Sequence, residues 1–149
     1  MRFLTIFIIL FLGITTTARA EFDLSLKSEN EKPVLRCTQM KTASSSQYVP
    51  QGVNYIFSME RDYKTSQIKS LKYIPDYTKK DIAPFSVKFD LQETRLVIYL
   101  DDPRFFNPAQ DMVISRYTGD YDLYNRVSVG KKLDWASGGA CYKDTGTKY

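Results

Sequence analysis

Apolar and polar side chains alternate with a period of two along much of this chain, and that pattern constrains the fold more than any other feature. The clearest example is segment 85–91 (FSVKFDL), in which four apolar residues alternate with three polar ones. Segments 22–27, 35–39 and 53–60 alternate in the same way. Successive side chains of a β-strand point to opposite faces, so this period predicts strands that each turn one face to a core.

Other segments predict strands by a different or weaker signal. Segment 96–100 (LVIYL) is apolar throughout, which predicts a strand buried on both faces. The remaining predicted strands are 112–117, 121–129 and 140–143, with a weaker candidate at 68–74. A helical turn is conceivable only at 77–82 and 107–111.

Short turns separate the predicted strands at nearly regular intervals. Segments 92–94 (QET) and 118–120 (TGD) are short enough to join antiparallel neighbours directly. Short strands that recur at such intervals are typical of antiparallel sandwiches and barrels. We therefore predict an all-β fold, a single antiparallel β-sandwich or small β-barrel of about 7–9 strands.

The N-terminal segment has the three parts of a secretory signal peptide in order. Arg2 precedes the apolar run 3–12 (FLTIFIILFL), and 18–20 (ARA) provides a small-x-small cleavage site. A membrane anchor or a buried helix is the alternative, but the run is shorter than the roughly 20 residues that span a bilayer. We expect residues 1–20 to be removed and residues 21–149 to form one domain in a bacterial periplasm or outside the cell, without stable membrane insertion.

Charge argues against a nucleic-acid partner. The chain has 21 basic and 17 acidic side chains. Arg2 and Arg19 leave with the signal peptide, and no acidic residue does, so the mature chain is only weakly basic. It contains no block of five or more like charges, which is the pattern that a nucleic-acid interface usually shows.

The two cysteines, Cys37 and Cys141, predict a disulfide because secretion exposes them to oxidising conditions. Such a bond would link the fold near both of its ends. It would close a loop of about 100 residues, and closing a loop of this length stabilises a chain by about 4–5 kcal/mol. Gly138 and Gly139 would let the C-terminal backbone approach the first strand closely. A free reactive thiol and an intermolecular bond are the alternatives.

The sequence contains no histidine, which removes the usual Ser-His and Cys-His catalytic arrangements and the commonest zinc ligand. We therefore predict no catalytic residue, no metal and no cofactor. Carboxylates leave two weaker alternatives open, a glycosidase-like hydrolase and a calcium site. The residues concerned are Asp101, Asp102, Asp111, Asp120 and Asp122, most of which are also typical of solvated turns.

Two aromatic segments are candidates for a partner-binding surface. Tyrosine and lysine interleave in 63–80, and two adjacent phenylalanines occur in the Pro-flanked segment 101–109 (DDPRFFNPA). One of those phenylalanines could close the core while the other is exposed, and the lysines could equally protect a sheet edge. The candidate residues are Tyr63, Tyr73, Tyr77, Lys79, Lys80, Phe105 and Phe106.

The C-terminal third resembles small secreted proteins of proteobacteria. Segment 114–119 (ISRYTG) matches their I-x-R-x-T-G hairpin, 139–141 matches their closing G-x-C, and 35–37 matches their early Leu-x-Cys. The resemblance implies a periplasmic all-β domain with a disulfide, and it implies no activity.

These observations together predict a non-enzymatic periplasmic or secreted binding module whose partner is a protein, an envelope surface or a glycan. One alternative is a small β-barrel carrier that encloses an apolar ligand among residues such as Phe57, Val87 and Ile98. The carboxylate-dependent hydrolase is the lower alternative.

Overall fold

The computed structural model describes residues 22, 24, 32–42, 54–62, 64–65, 67–75, 82–126 and 133–144. Within these residues the chain forms eight β-strands, and each pairs with the next in an antiparallel ladder. Strand β8 also pairs with β1, which closes the sheet into a barrel. The strands are β1 (Val34–Thr42), β2 (Asn54–Arg61), β3 (Ile68–Tyr73), β4 (Phe85–Leu91), β5 (Arg95–Leu100), β6 (Gln110–Ser115), β7 (Asp120–Arg126) and β8 (Leu133–Asp144).

The barrel confirms the predicted all-β class and decides between its two forms. Most strands place alternate residues inside, where inward residues from all eight strands form one cluster of buried apolar side chains. Phe57 of β2 and Ile98 of β5 lie three strands apart in the barrel, and the side chain of each has 0% exposure. Eight strands enclose an interior that side chains alone can fill, and the inward apolar residues of this barrel are buried.

The connections between strands divide the barrel into two ends. At the short-loop end, the chain turns within 62–67, 92–94 and 116–119. At the other end, which we call the long-loop end, β1 ends and β2 begins, and the same holds for β3 and β4, β5 and β6, and β7 and β8; most of these strand pairs are separated by nine or more residues of sequence. Long connections at one end of a rigid scaffold are the usual location of binding residues.

Arg116 and Gly119 organise the short-loop end. The Arg116 guanidinium donates hydrogen bonds of 2.9 Å to the carbonyl oxygens of Gln92 and Glu93, which ties the β6–β7 turn to the β4–β5 turn. Gly119 has a φ of +76°, a left-handed conformation that favours glycine. A side chain there would also lie 2.7 Å from the carbonyl oxygen of Cys141, so the turn and β8 can approach only through glycine.

The disulfide joins the strands that close the barrel. Cys37 of β1 lies directly opposite Cys141 of β8 in the ladder, and the two are bonded as predicted. Gly139 permits this approach, because a Cβ atom there would lie 2.0 Å from the carbonyl oxygen of Thr38. The bond is consistent with an oxidising compartment.

Three predicted segments differ from the structure. Strand β8 begins at Leu133, seven residues before the predicted start at 140, and contains a register shift against β7. Segment 107–111 makes no helical turn at its C-terminal end, because Gln110 and Asp111 begin β6. Of the predicted strand 22–27, only Phe22 and Leu24 are described, and both lie outside the strands.

We predict that the double substitution Cys37→Ala and Cys141→Ala lowers the free energy of unfolding by about 4–5 kcal/mol, since it frees a loop spanning 104 positions in the unfolded chain. Urea unfolding of the oxidised wild type and of the double variant measures the difference. A loss below about 1 kcal/mol would show that the β1–β8 ladder closes the barrel without the covalent bond.

We also predict that stability falls as the pH rises above about 10. Burial, together with the neighbouring Tyr121 and Tyr73, raises the pKa of Tyr55 well above its usual value. Burial raises the pKa of Tyr121 to about 12. The unfolded chain therefore loses these protons first, so alkali favours unfolding. Urea unfolding at about pH 9 and about pH 11 tests this. Tyr121→Phe should reduce the loss, whereas Tyr142→Phe, at an exposed position, should not.

Candidate functional site

Four aromatic rings form a cluster at the long-loop end. Tyr73 and Phe85 are cross-strand partners where β3 ends and β4 begins, and Phe105 and Phe106 come from the β5–β6 connection. The Phe85 and Phe105 rings are stacked, with centroids 5.0 Å apart and planes inclined by 20°. Tyr73 contacts Phe106 edge to face at 5.2 Å. We call these four residues the aromatic cluster.

Asp102 builds the turn that carries the two phenylalanines into the cluster. Its carbonyl oxygen accepts hydrogen bonds from the amides of Phe105, at 3.0 Å, and Phe106, at 2.9 Å. Its carboxylate accepts one from the amide of Arg104, also at 3.0 Å. An aspartate that bonds its own following backbone in this way stabilises a turn. One residue thus determines where both rings lie.

Arg104 covers the outer side of the cluster. Its guanidinium lies 5.5 Å from the centroid of the Phe105 ring and 5.8 Å from that of Phe85, which are cation–π distances. Asp102 pairs with it at 2.6 Å, and these hydrogen bonds hold the pKa of Asp102 below its usual value. The Arg104 side chain nevertheless remains 71% exposed. Its position is defined while most of its surface faces solvent.

The structure separates the roles of the predicted candidates. Phe106 is only 7% exposed and joins the core, so it anchors the cluster instead of facing a partner. Phe105 and Tyr73 are half-buried, and both pack against the core residues at the long-loop end. The division between one core phenylalanine and one more accessible neighbour is the one that the sequence suggested.

The other four candidates, Tyr63, Tyr77, Lys79 and Lys80, lie outside the described residues. The strands that flank residue 63 meet at the short-loop end, whereas those that flank 77–80 meet at the long-loop end. Phe85 and Arg104 also belong to the site, although neither was predicted from the sequence. The Asp-x-Arg pattern directly before two phenylalanines could have indicated Arg104. The contact between Phe85 and Phe105 could not be predicted in this way, because it depends on which strands pair.

Three of the candidate carboxylates are engaged by neighbours that limit their chemistry. Asp102 pairs with Arg104, Asp111 pairs with Arg126 at 2.5 Å, and Asp122 accepts a 2.9 Å hydrogen bond from the indole of Trp135. Across the described ranges, no three histidine, cysteine or acidic side chains are grouped in a way that could hold a metal ion. Both cysteines are consumed by the disulfide.

Comparison with protein families, with curated proteins and with solved structures finds no match to this chain. Among the described residues, no helix is long and apolar enough to cross a membrane. The function of this protein is therefore inferred from the geometry of its site.

We predict that Phe106→Ala lowers the free energy of unfolding by about 3–5 kcal/mol, because it leaves a cavity in the core. Phe105→Ala should cost less, since its ring is only half-buried and stacks on one neighbour. Urea unfolding of both variants measures the two losses. Equal losses would show that Phe105 belongs to the core as fully as Phe106.

Proposed function

We propose that the chain is a non-enzymatic binding module of the periplasm or the cell exterior, exported by its N-terminal signal peptide. Its contact surface for a protein partner is the part of the aromatic cluster that faces solvent, together with Arg104. The observation that carries this proposal is the stacked pair Phe85–Phe105 with the exposed Arg104 guanidinium above it.

Such a group has the properties of a binding hot spot. Aromatic and arginine side chains contribute most of the energy in typical protein interfaces, especially where they pack on rigid neighbours. Phe85 belongs to a paired strand, and Phe105 is held by the Asp102 turn, so binding would order few additional groups. The pairing with Asp102 also orients Arg104 before a partner arrives.

The barrel supports a scaffold role better than a carrier role. A carrier needs interior space beside its lining residues, and solvent-sized space would appear as exposed surface on them. Phe57 and Ile98, two of the predicted lining residues, show none, and Val87 is also buried. The pairing of Asp102, Asp111 and Asp122 with their own neighbours gives no support to carboxylate catalysis. We therefore prefer the binding module to both alternatives.

The proposal predicts that Arg104→Ala weakens capture of a protein partner about tenfold or more, while the unfolding midpoint stays unchanged. The oxidised chain 21–149 is immobilised, and proteins retained from a bacterial envelope extract are quantified by mass spectrometry. Arg104→Lys keeps the charge but loses the planar stacking group, so it should retain less than the wild type.

Arg95→Ala provides the matched control, because Arg95 is an exposed arginine at the short-loop end. It should capture the same proteins as the wild type. Identical retained sets for Arg104→Ala and the wild type would refute the proposed surface. If the purified protein converted a substrate catalytically, that activity would refute the non-enzymatic assignment.

A further inference from the structure

A second set of aromatic side chains lies on the outer wall of the barrel, away from the aromatic cluster. Tyr99 of β5 pairs with Asp111 of β6, Asp111 pairs with Tyr124 of β7, and Tyr124 pairs with Trp135 of β8. Directly opposed residues point to the same face of a sheet, so the four form one line across four strands. Their neighbours Leu100, Met112 and Leu123 are core residues, which places this line outside. We call it the outer-wall row.

Trp135 lies against the barrel wall. Its indole nitrogen donates a 2.9 Å hydrogen bond to Oδ1 of Asp122 on the neighbouring strand. The six-membered ring reaches over Gly138, where a Cβ atom would lie 3.6 Å from Cζ2. The ring therefore lies beside the backbone of Gly138, and the hydrogen bond to Asp122 holds its orientation. Trp135 remains partly exposed in this position.

The tyrosines of the row are also held by neighbours. The guanidinium of Arg126 lies 5.2 Å from the centroid of Tyr99 and is fixed in turn by Asp111, with contacts of 2.5 and 2.6 Å. Burial and the charge of Asp122 raise the pKa of Tyr124 further above neutrality, and its hydroxyl is a hydrogen-bond donor to a ligand. Asp111 thus lies between Tyr99 and Tyr124, and Trp135 follows Tyr124 directly, in a row whose geometry exists before a ligand binds.

The charges on the outer-wall row and directly beside it cancel. Lys88 of β4 is the cross-strand partner of Tyr99 and extends the row by one strand. Lys88 and Arg126 carry two positive charges, and Asp111 and Asp122 carry two negative ones. A surface of this kind gives no strong attraction to a polyanion or a polycation. It favours an uncharged ligand that stacks on rings and exchanges hydrogen bonds.

We infer that the outer-wall row is a binding platform for an uncharged, extended polysaccharide, such as a β-1,4-linked glucan or chitin, that lies across the strands. The apolar C–H faces of two successive sugars would stack on Trp135 and Tyr124, which are cross-strand partners on adjacent strands. The sugar hydroxyls would bond to the carboxylates of Asp111 and Asp122 and to the guanidinium that covers the Tyr99 ring. Neighbouring strands lie about 4.7–4.9 Å apart, which is of the order of one sugar unit of an extended chain. This site is independent of the aromatic cluster and of the protein partner proposed for it.

Affinity electrophoresis tests the inference with the oxidised chain 21–149 in gels that contain hydroxyethyl cellulose, and a pull-down on chitin beads provides the second probe. The wild type should be retarded or retained. Trp135→Ala should lower the affinity about tenfold or more, which corresponds to about 1.4 kcal/mol. Trp135 is the sole tryptophan of the chain, so its fluorescence should also change when soluble cello-oligosaccharides are added to the wild type.

Matched variants separate binding from folding. Trp135→Phe keeps an aromatic ring but removes the indole N–H, so it should fold and bind with intermediate affinity. Tyr142→Ala changes an exposed aromatic residue of β8 outside the row and should bind like the wild type. Arg104→Ala, which disrupts the surface proposed for a protein partner, should leave polysaccharide binding unchanged.

Two results would overturn the inference. One is the absence of binding to both polysaccharides, or binding that Trp135→Ala leaves intact. The other is tight binding to polylysine that strengthens as the salt concentration falls and that displaces the polysaccharide. That result would show that the outer-wall row is a site for a basic polypeptide.

Discussion

The pairing of the first strand with the last is the interaction on which the rest of this structure depends. It converts an open sheet, whose edges would each expose unpaired backbone groups, into a barrel without free edges. The Cys37–Cys141 bond lies within that ladder, so the covalent link and the hydrogen-bonded closure act on the same two strands. Gly139 makes both possible by bringing β8 against the backbone of Thr38. Both proposed surfaces lie on the closed barrel that this ladder completes.

Closure also determines what the interior can contain. Most inward side chains are apolar, but Gln110 and Asn125 lie buried near the long-loop end and bond to each other at 2.9 Å. Such a pair satisfies polar groups that would otherwise destabilise the core. Within the part of the chain that the structure describes, the hydroxyl groups of Tyr121 and Ser137 are buried without a hydrogen-bond partner. The half of the interior formed by β6, β7 and β8 is thus more polar than the half formed by β3, β4 and β5.

The two proposed surfaces use the same physical device. In each, a carboxylate holds a guanidinium, and the guanidinium lies over an aromatic ring: Asp102 holds Arg104 against Phe105, and Asp111 holds Arg126 against Tyr99. The arrangement fixes flexible side chains before any partner binds, which reduces the entropy lost on binding. The surfaces differ in shape. One closes an end of the barrel, and the other runs along its wall, which suits a compact partner and an extended one respectively.

The sequence alone determined the strand class and the disulfide, because a period of two and a lone cysteine pair are local or compositional signals. It also located Phe105 and Phe106, although not which of them is buried. Tertiary structure decided the rest. The early part of β8, 133–139, is rich in small residues, contains two glycines and carries a register shift, so it shows no alternation that could be recognised. The contact of Phe85 with Phe105 and the line from Tyr99 to Trp135 depend on which strands pair and in what register. That information arises only when distant segments meet, because side chains on different strands have no fixed spacing in sequence.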